Sequence, residues 1–320
     1  MNRIAVITSG GDSPGMNAAI RAVVRAAIGR GATVLGFRQG YEGIIKDDSI
    51  KLDSPAVGGI ITRGGTILRT ARSKEFMTHE GRVKAIETLQ RHNIEGLVVI
   101  GGDGSLTGAL KLHEEFNFPV MGVPGSIDND ISGTDFSIGF DTAVNTAVQA
   151  IDKVRDTAYS HDRVFVIEVM GRRNGYIALE AALAGGAEAV LIPEVPYSLA
   201  EVCAQMQSAA VKGKLSSIIV VAEGAARAED IKNFIQKSIG FDARTLVLGH
   251  MQRGGSPTAF DRVLALRLGA FAANRLLSGF KGEMVGVDGN QLVAHPLGYV
   301  LSTERNIDPE RLLLAEVMAQ

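Results

Sequence analysis

The chain has 320 residues, more than one domain usually holds, so two domains are expected. A net charge of −2 excludes an electrostatic nucleic-acid binder, which would need a surplus of Lys and Arg. The single cysteine, Cys203, excludes an intrachain disulfide and suits a reducing compartment; in its Ala-rich stretch it reads as packing.

One unit recurs along the chain: a short apolar run, a Gly-rich turn, then an amphipathic Ala-rich stretch. Residues 3–8 read as a strand, 10–15 as a turn and 17–29 as a helix, where Ile20, Val23, Val24 and Ala27 recur at helical spacing. The first apolar run is too short for a signal peptide or a membrane span, so a soluble cytoplasmic protein with no membrane partner is expected. A helix follows over 82–92, then a strand at 97–100, a turn at 101–105 and a helix from about 106. The strand at 120–123 leads into an irregular segment through 132. The β-branched run 163–169 ends in MGRRNG (170–175), and 217–221 and 245–248 are further strands with charged residues just beyond them. Alternation of this kind implies an α/β fold with mostly parallel sheets, helices on both faces and ligands beyond the carboxyl ends of strands. No long or polar linker marks a boundary, so the domains either share an extensive interface or exchange the chain more than once.

Three groups of residues carry chemistry. GGDGS (101–105) follows an apolar strand and opens a helix, where glycines let backbone N–H groups approach an anion. Ser105 can donate to a phosphate and Asp103 can hold Mg²⁺, but the same residues also fit a plain Gly-rich turn with a side-chain N-cap. It is not a Walker loop, and the 10–15 turn does not fit G-x-G-x-x-G. PGSIDND (124–130) sets Asp128 and Asp130 two residues apart, on one side of an extended stretch. One carboxylate as base and a second beside a metal would serve phosphoryl transfer to an alcohol; a solvated Asx-rich turn is the alternative. MGRRNG and GHMQRGGSP (249–257) add arginines, which pair with phosphate in bidentate fashion, and His250, which alone would more often be structural.

These segments, with TSGGDSPGMNA (8–18), RGGT (63–66), Ala71-Arg72, GFDTA (139–143) and EVMGR (168–172), together resemble the bacterial ATP-dependent 6-phosphofructokinase family, nearly end to end and in family order. The resemblance implies two three-layer αβα domains of similar topology, with the active site in the cleft between them. It implies an ATP-binding domain over 1–138 and about 252–305, and a fructose 6-phosphate domain over 139–251 and about 306–320. Gly11, Tyr41, Arg72, Ser73, Gly102, Asp103, Gly104 and Ser105 match the ATP site, with Asp103 at the Mg²⁺ position. Asp128 matches the base for the sugar 1-hydroxyl, with Ser126 and Asp130 beside it, and Arg72 and Arg172 match residues that stabilise the moving phosphoryl. Arg163, Met170, Gly171, Arg172, Glu223, Arg244, His250 and Arg253, along with Ser126 and Asp128, match the sugar-phosphate pocket. Arg163 and Arg244 would come from a neighbouring subunit, which implies a homotetramer with shared sites.

Pyrophosphate-dependent relatives typically carry Asp at 104 and Lys at 125; Gly104 and Gly125 favour ATP. Arg21, Arg25, Arg155, Glu188, Lys212 and Lys214 match an effector pocket for ADP or phosphoenolpyruvate. Ser54, Gly59, Leu215 and Ser216 depart from its pattern and should weaken effector binding, while Ser126 in place of Thr keeps its hydroxyl. The rivals are a pyrophosphate-dependent phosphofructokinase, a kinase of NAD or lipid with a GGDG loop, and a non-catalytic nucleotide sensor.

Overall fold

The structure is a computed structural model that describes residues 1–319, and the chain divides into two units. The first comprises Met1–Asp141 and Arg253–Arg305, the second Thr142–Gln252 and Asn306–Gln320, so the chain passes between them three times. In chain order the first unit begins with β1 (Arg3–Ser9), α1 (Met16–Gly29), β2 (Thr33–Phe37), α2 (Tyr41–Ile45) and β3 (Ser49–Leu52). It continues with α3 (His79–Arg91), β4 (Gly96–Gly101), α4 (Asp103–Phe116) and β5 (Val120–Pro124). Then come α5 (Phe140–Ser160), β6 (Val164–Val169), α6 (Tyr176–Gly185), β7 (Ala189–Leu191), α7 (Leu199–Val211), β8 (Ser217–Ala222), α8 (Ala228–Ile239) and β9 (Ala243–Val247). The chain closes with α9 (Ala259–Leu277), β10 (Glu283–Asp288), β11 (Gln291–Pro296), α10 (Leu297–Ser302) and α11 (Pro309–Met318).

The first unit holds a seven-stranded sheet, β11-β10-β5-β4-β1-β2-β3, parallel except for its outer pairs β2–β3 and β10–β11. Its central strands are apolar at nearly every position because both faces are covered, as a parallel sheet requires. Alternate residues divide between the faces: Ile4, Val6, Val98 and Ile100 join α1 and α9, while Ala5, Ile7, Leu97 and Val99 join α2, α3 and α4. Gly269 on α9 has a bodily reason, since a Cβ there would lie 2.6 Å from the Ala19 carbonyl of α1.

The second unit holds the four-stranded parallel sheet β7-β8-β6-β9. Val164, Val166, Ile219 and Val221 face α7 and α8, where Cys203 is buried as packing and burial pushes its thiol pKa up. Among the described residues no helix is long and apolar enough to cross a membrane.

Several elements differ from the sequence expectation. Helix α3 begins three residues early because Thr78 caps it, its hydroxyl accepting from the Gly81 N–H at 3.1 Å. Helix α4 begins at Asp103, so Asp103, Gly104 and Ser105 form its first turn and not a preceding loop. Strand β9 begins at Ala243, where it registers with Val164, two residues ahead of the expected start.

Candidate functional site

Three loops of the first unit leave neighbouring strands in order. Ser9 at the end of β1 registers with Gly101 at the end of β4, and Gly101 registers with Pro124 at the end of β5. The turn 10–15, the first turn of α4 and the segment 124–130 therefore emerge side by side at one sheet edge. They are closely fitted: a Cβ on Gly101 would lie 2.5 Å from the Ser9 carbonyl and 2.7 Å from Ser105 Oγ. Gly102 is the N-cap of α4, and no side-chain hydrogen bond from it caps the helix. Asp103 is exposed there, Ser105 is buried, and a Cβ on Gly104 would meet nothing within 4 Å.

Tyr41 is about as deeply placed as Ser105. It is 5 % exposed, stacks on Phe76 with centroids 3.9 Å apart, and donates its hydroxyl to the Ser105 carbonyl at 2.6 Å. Burial raises its pKa well above the usual value, so it stays a neutral donor that braces the first turn of α4. Arg72 is exposed in the segment before the short 3₁₀ turn Glu75–Met77, and Ser73 beside it accepts from the Phe76 N–H at 3.2 Å. Gly11 is exposed, and the Arg253 guanidinium lies against it, donating Nη1 to the Asp12 carbonyl at 3.2 Å.

The segment after β5 is bent, not extended, which corrects the expectation that Asp128 and Asp130 share a side by strand alternation. Asn129 adopts φ 54°, a left-handed conformation that Asn tolerates. Its amide donates to the Asp135 carbonyl at 3.1 Å, its Oδ1 accepts from the Ser137 N–H at 2.8 Å, and Ser137 Oγ donates to the Ser126 carbonyl at 2.6 Å. Ser126 Oγ in turn accepts from the Asp128 N–H at 3.2 Å and donates to Asp130 Oδ1 at 3.3 Å. Asp128 is thereby held at 3 % exposure, an acidic group kept out of bulk water. Asn129 and Ser137, which motif reading passed over, are what shape this loop. Gly125 is hemmed in, since a Cβ would come 3.2 Å from Met16 Cε and 3.4 Å from Ile100 Cγ2, so packing favours glycine there.

In the second unit, Met170, Gly171 and Arg172 follow β6, Glu223 follows β8, and His250 lies in the 3₁₀ turn Gly249–Arg253 after β9. All are at the carboxyl ends of parallel neighbours. Gln252, fully buried and absent from the motif reading, accepts from the Met170 N–H at 2.8 Å and donates to the Ala143 carbonyl at 3.3 Å. Glu223 accepts from the Arg172 N–H at 2.8 Å, and Arg172 is left-handed at φ 54° with its side chain exposed. Arg163 and Arg244 stand elsewhere. Arg163 precedes β6 and Arg244 is the second residue of β9, so both lie at the amino ends, about 20 Å along the strand from Met170.

The residues matched to an effector pocket fall in both units. On α1, Arg21 donates to the Val57 carbonyl at 2.7 Å, beside the loop holding Ser54 and Gly59, and Arg25 is exposed. In the second unit Arg155 and Lys214 flank Glu188, at 3.8 and 2.9 Å. Glu188, Lys212 and Lys214 border a cavity of about 850 Å³ between β7, α7 and α11.

The phosphofructokinase family model matches residues 3–276. The chain belongs to the phosphofructokinase family. It is 53 % identical to the ATP-dependent 6-phosphofructokinase of Thermotoga neapolitana and 56 % to that of Halalkalibacterium halodurans, over all of both chains in each case. The solved phosphofructokinase of Saccharomyces cerevisiae aligns with TM-score 0.88 at 39 % identity, covering 94 % of this chain, which spans 45 % of the yeast one. A pyrophosphate-dependent phosphofructokinase from Marinobacter aquaeolei aligns with TM-score 0.86 at 23 % identity, covering 97 % of this chain and 86 % of its own, a likeness of fold.

Proposed function

We propose that the chain is an ATP-dependent 6-phosphofructokinase, which moves the γ-phosphoryl of ATP in line to the 1-hydroxyl of fructose 6-phosphate, a step of glycolysis. The observation that carries the reading is the buried Asp128 carboxylate on a loop braced by Asn129 and Ser137, next to the open helix start at Gly102–Ser105. Asp128 accepts the hydroxyl proton as the alcohol attacks. Ser126 fixes the loop on either side of it and holds Asp130. Arg72 and Arg172 offset charge on the transferring phosphoryl, and the α4 N–H groups with Ser105 bind the phosphate chain of the nucleotide.

Among the described residues no cluster of three or more His, Cys, Asp or Glu is placed to hold a metal. That fits Mg²⁺, which keeps its waters and takes one or two carboxylates plus substrate phosphates, so the exposed Asp103 is a suitable protein ligand. Mg²⁺, when bound, would neutralise charge on the nucleotide phosphates. The open space at Gly104 supports ATP as donor over pyrophosphate.

Met170, Gly171, Glu223, His250 and Arg253 form or support the sugar-phosphate site in this reading. A sugar phosphate touching Met170 and Arg172 is out of reach of the same chain's Arg163, which supports sites shared between copies in a homotetramer. The first unit is then the ATP-binding domain and the second the sugar-phosphate domain, in a cytoplasmic enzyme. Arg21, Arg25, Arg155, Glu188, Lys212 and Lys214 bind ADP or phosphoenolpyruvate as effectors, weakened by Ser54, Gly59, Leu215 and Ser216.

Sugar-saturation curves with Mg²⁺ and either ATP or pyrophosphate, with and without ADP and phosphoenolpyruvate, test the reading. Turnover with ATP and only trace turnover with pyrophosphate is expected. Preference for pyrophosphate would overturn the donor, and no transfer to fructose 6-phosphate from either would overturn the reaction.

A further inference from the structure

Between the two arginines at the amino ends of β6 and β9 sits an acidic residue that the reaction does not use. Asp242 immediately precedes β9, and its Oδ2 accepts from Arg163 Nε at 2.7 Å while its Oδ1 lies 3.2 Å from Arg244 Nη2. The backbone is tied at the same place: the Val164 N–H donates to the Asp242 carbonyl at 3.0 Å, and Phe165 registers with Arg244. The hydrogen bond from Arg163 is the main cause that holds the Asp242 carboxyl below the usual range, with the Arg244 and Arg163 charges adding to it. The residue is therefore an anion throughout the neutral range.

Stability gives little reason for this triad, and one guanidinium fork stays outside the pairing. Asp242, Arg163 and Arg244 are 42, 30 and 54 % exposed, and ion pairs at such exposure contribute little to stability. Contact through Nε leaves the terminal Nη1–Nη2 fork of Arg163, the part that grips a phosphate in bidentate fashion, outside the Asp242 contact.

We infer that Asp242 is a positioning residue, which holds Arg163 and Arg244 as one paired anion receptor for the 6-phosphate of the sugar. The inference rests on the proposed sugar-phosphate role of those arginines. Two long side chains that must order on binding lose rotamer freedom at that moment, and a carboxylate that orders both beforehand removes much of the loss. The carboxylate also repels the incoming dianion. Two guanidinium groups outnumber that one carboxylate, so the triad stays net positive toward the dianion.

The experiment uses the intact enzyme and compares sugar-phosphate saturation at fixed ATP for the parent, Asp242→Asn, Asp242→Glu and Arg244→Ala. Asp242→Asn is expected to raise the half-saturating fructose 6-phosphate roughly 5–30-fold through lost preordering. Its turnover should stay within about twofold, ATP saturation should be unchanged, and the thermal midpoint should move by less than about 2 °C, as for a surface pair. Asp242→Glu should recover part of the loss. An unchanged or lower half-saturation in Asp242→Asn, with Arg244→Ala still raising it, overturns the positioning role and leaves the sugar site standing. Arg244→Ala with no effect on sugar saturation overturns the sugar-site reading itself. A drop in turnover, ATP saturation and thermal midpoint together in Asp242→Asn would make the residue structural and also overturn the inference.

Discussion

Asp128 and Arg244 stand at opposite extremes of construction. Asp128 is 3 % exposed, on a loop tied by the side chains of Ser126, Asn129 and Ser137, whereas Arg244 is 54 % exposed and held through the carboxylate of Asp242. In the proposed function the difference follows from the tasks. Proton transfer in the transition state needs the base within a few tenths of an ångström of its place, so backbone and buried hydrogen bonds set it. Capture of a phosphate dianion needs charge that water-borne substrate can reach, and long side chains at strand starts supply it.

The largest effect is expected at the rigid end. Replacing Asp128 with Asn should cut turnover by about 10²–10⁴-fold or more, with sugar half-saturation little changed, in steady-state assays. Near-parental turnover would remove Asp128 from the base role. At the flexible end the signature reverses. Arg244→Ala should raise half-saturating sugar phosphate by roughly 10–100-fold, the cost of a charge-assisted hydrogen bond, and lower turnover much less. Mixing Arg244→Ala with Asp128→Asn subunits should regain activity if sites are shared between copies, because some sites then receive both intact halves. Failure to regain any would count against sharing.

Asn129→Ala probes the bracing alone. It removes a buried donor and acceptor and puts a non-glycine, non-Asn residue at φ 54°, so roughly 1–3 kcal/mol of stability should be lost. Turnover should fall about tenfold as Asp128 loosens, read as a kcat loss at unchanged ATP saturation. The smallest effect is expected for Ser126→Thr, which keeps the hydroxyl that serves Asp128 and Asp130; turnover within about threefold would agree with that hydroxyl being its function.

Much of the site is written in local patterns. Gly-rich turns after apolar runs mark Gly101–Ser105 and the segment from Pro124, and arginines flanked by glycine mark the loops after β6 and β9. Buried parallel strands such as β4 are legible because both faces are covered, which makes the run continuously apolar. Other parts carry no such pattern. Gln252 is one polar residue in a turn, and its role exists only because the end of β6 and the start of α5 come to either side of its amide. Asn129 looks like one more solvated Asx residue until Asp135 and Ser137 are brought to its amide. Tyr41 matched a nucleotide contact, and nothing in the motif tells that its ring stacks on Phe76 and its hydroxyl donates to the Ser105 carbonyl.

The same division holds for Asp128 and Arg244. Residue types and their spacing, which depend on the chemistry of carboxylates, guanidinium groups and glycine backbone, give the fold class and the loops where charge gathers. The reaction and the residue roles come from the resemblance to the phosphofructokinase family. Burial of Asp128, the bend at Asn129, the bracing of α4 by Tyr41 and the placing of Arg163 and Arg244 at the far ends of their strands depend on contacts between residues distant in the chain. Those contacts form only when the sheet sets the register of its strands, and no local pattern of residues contains that register.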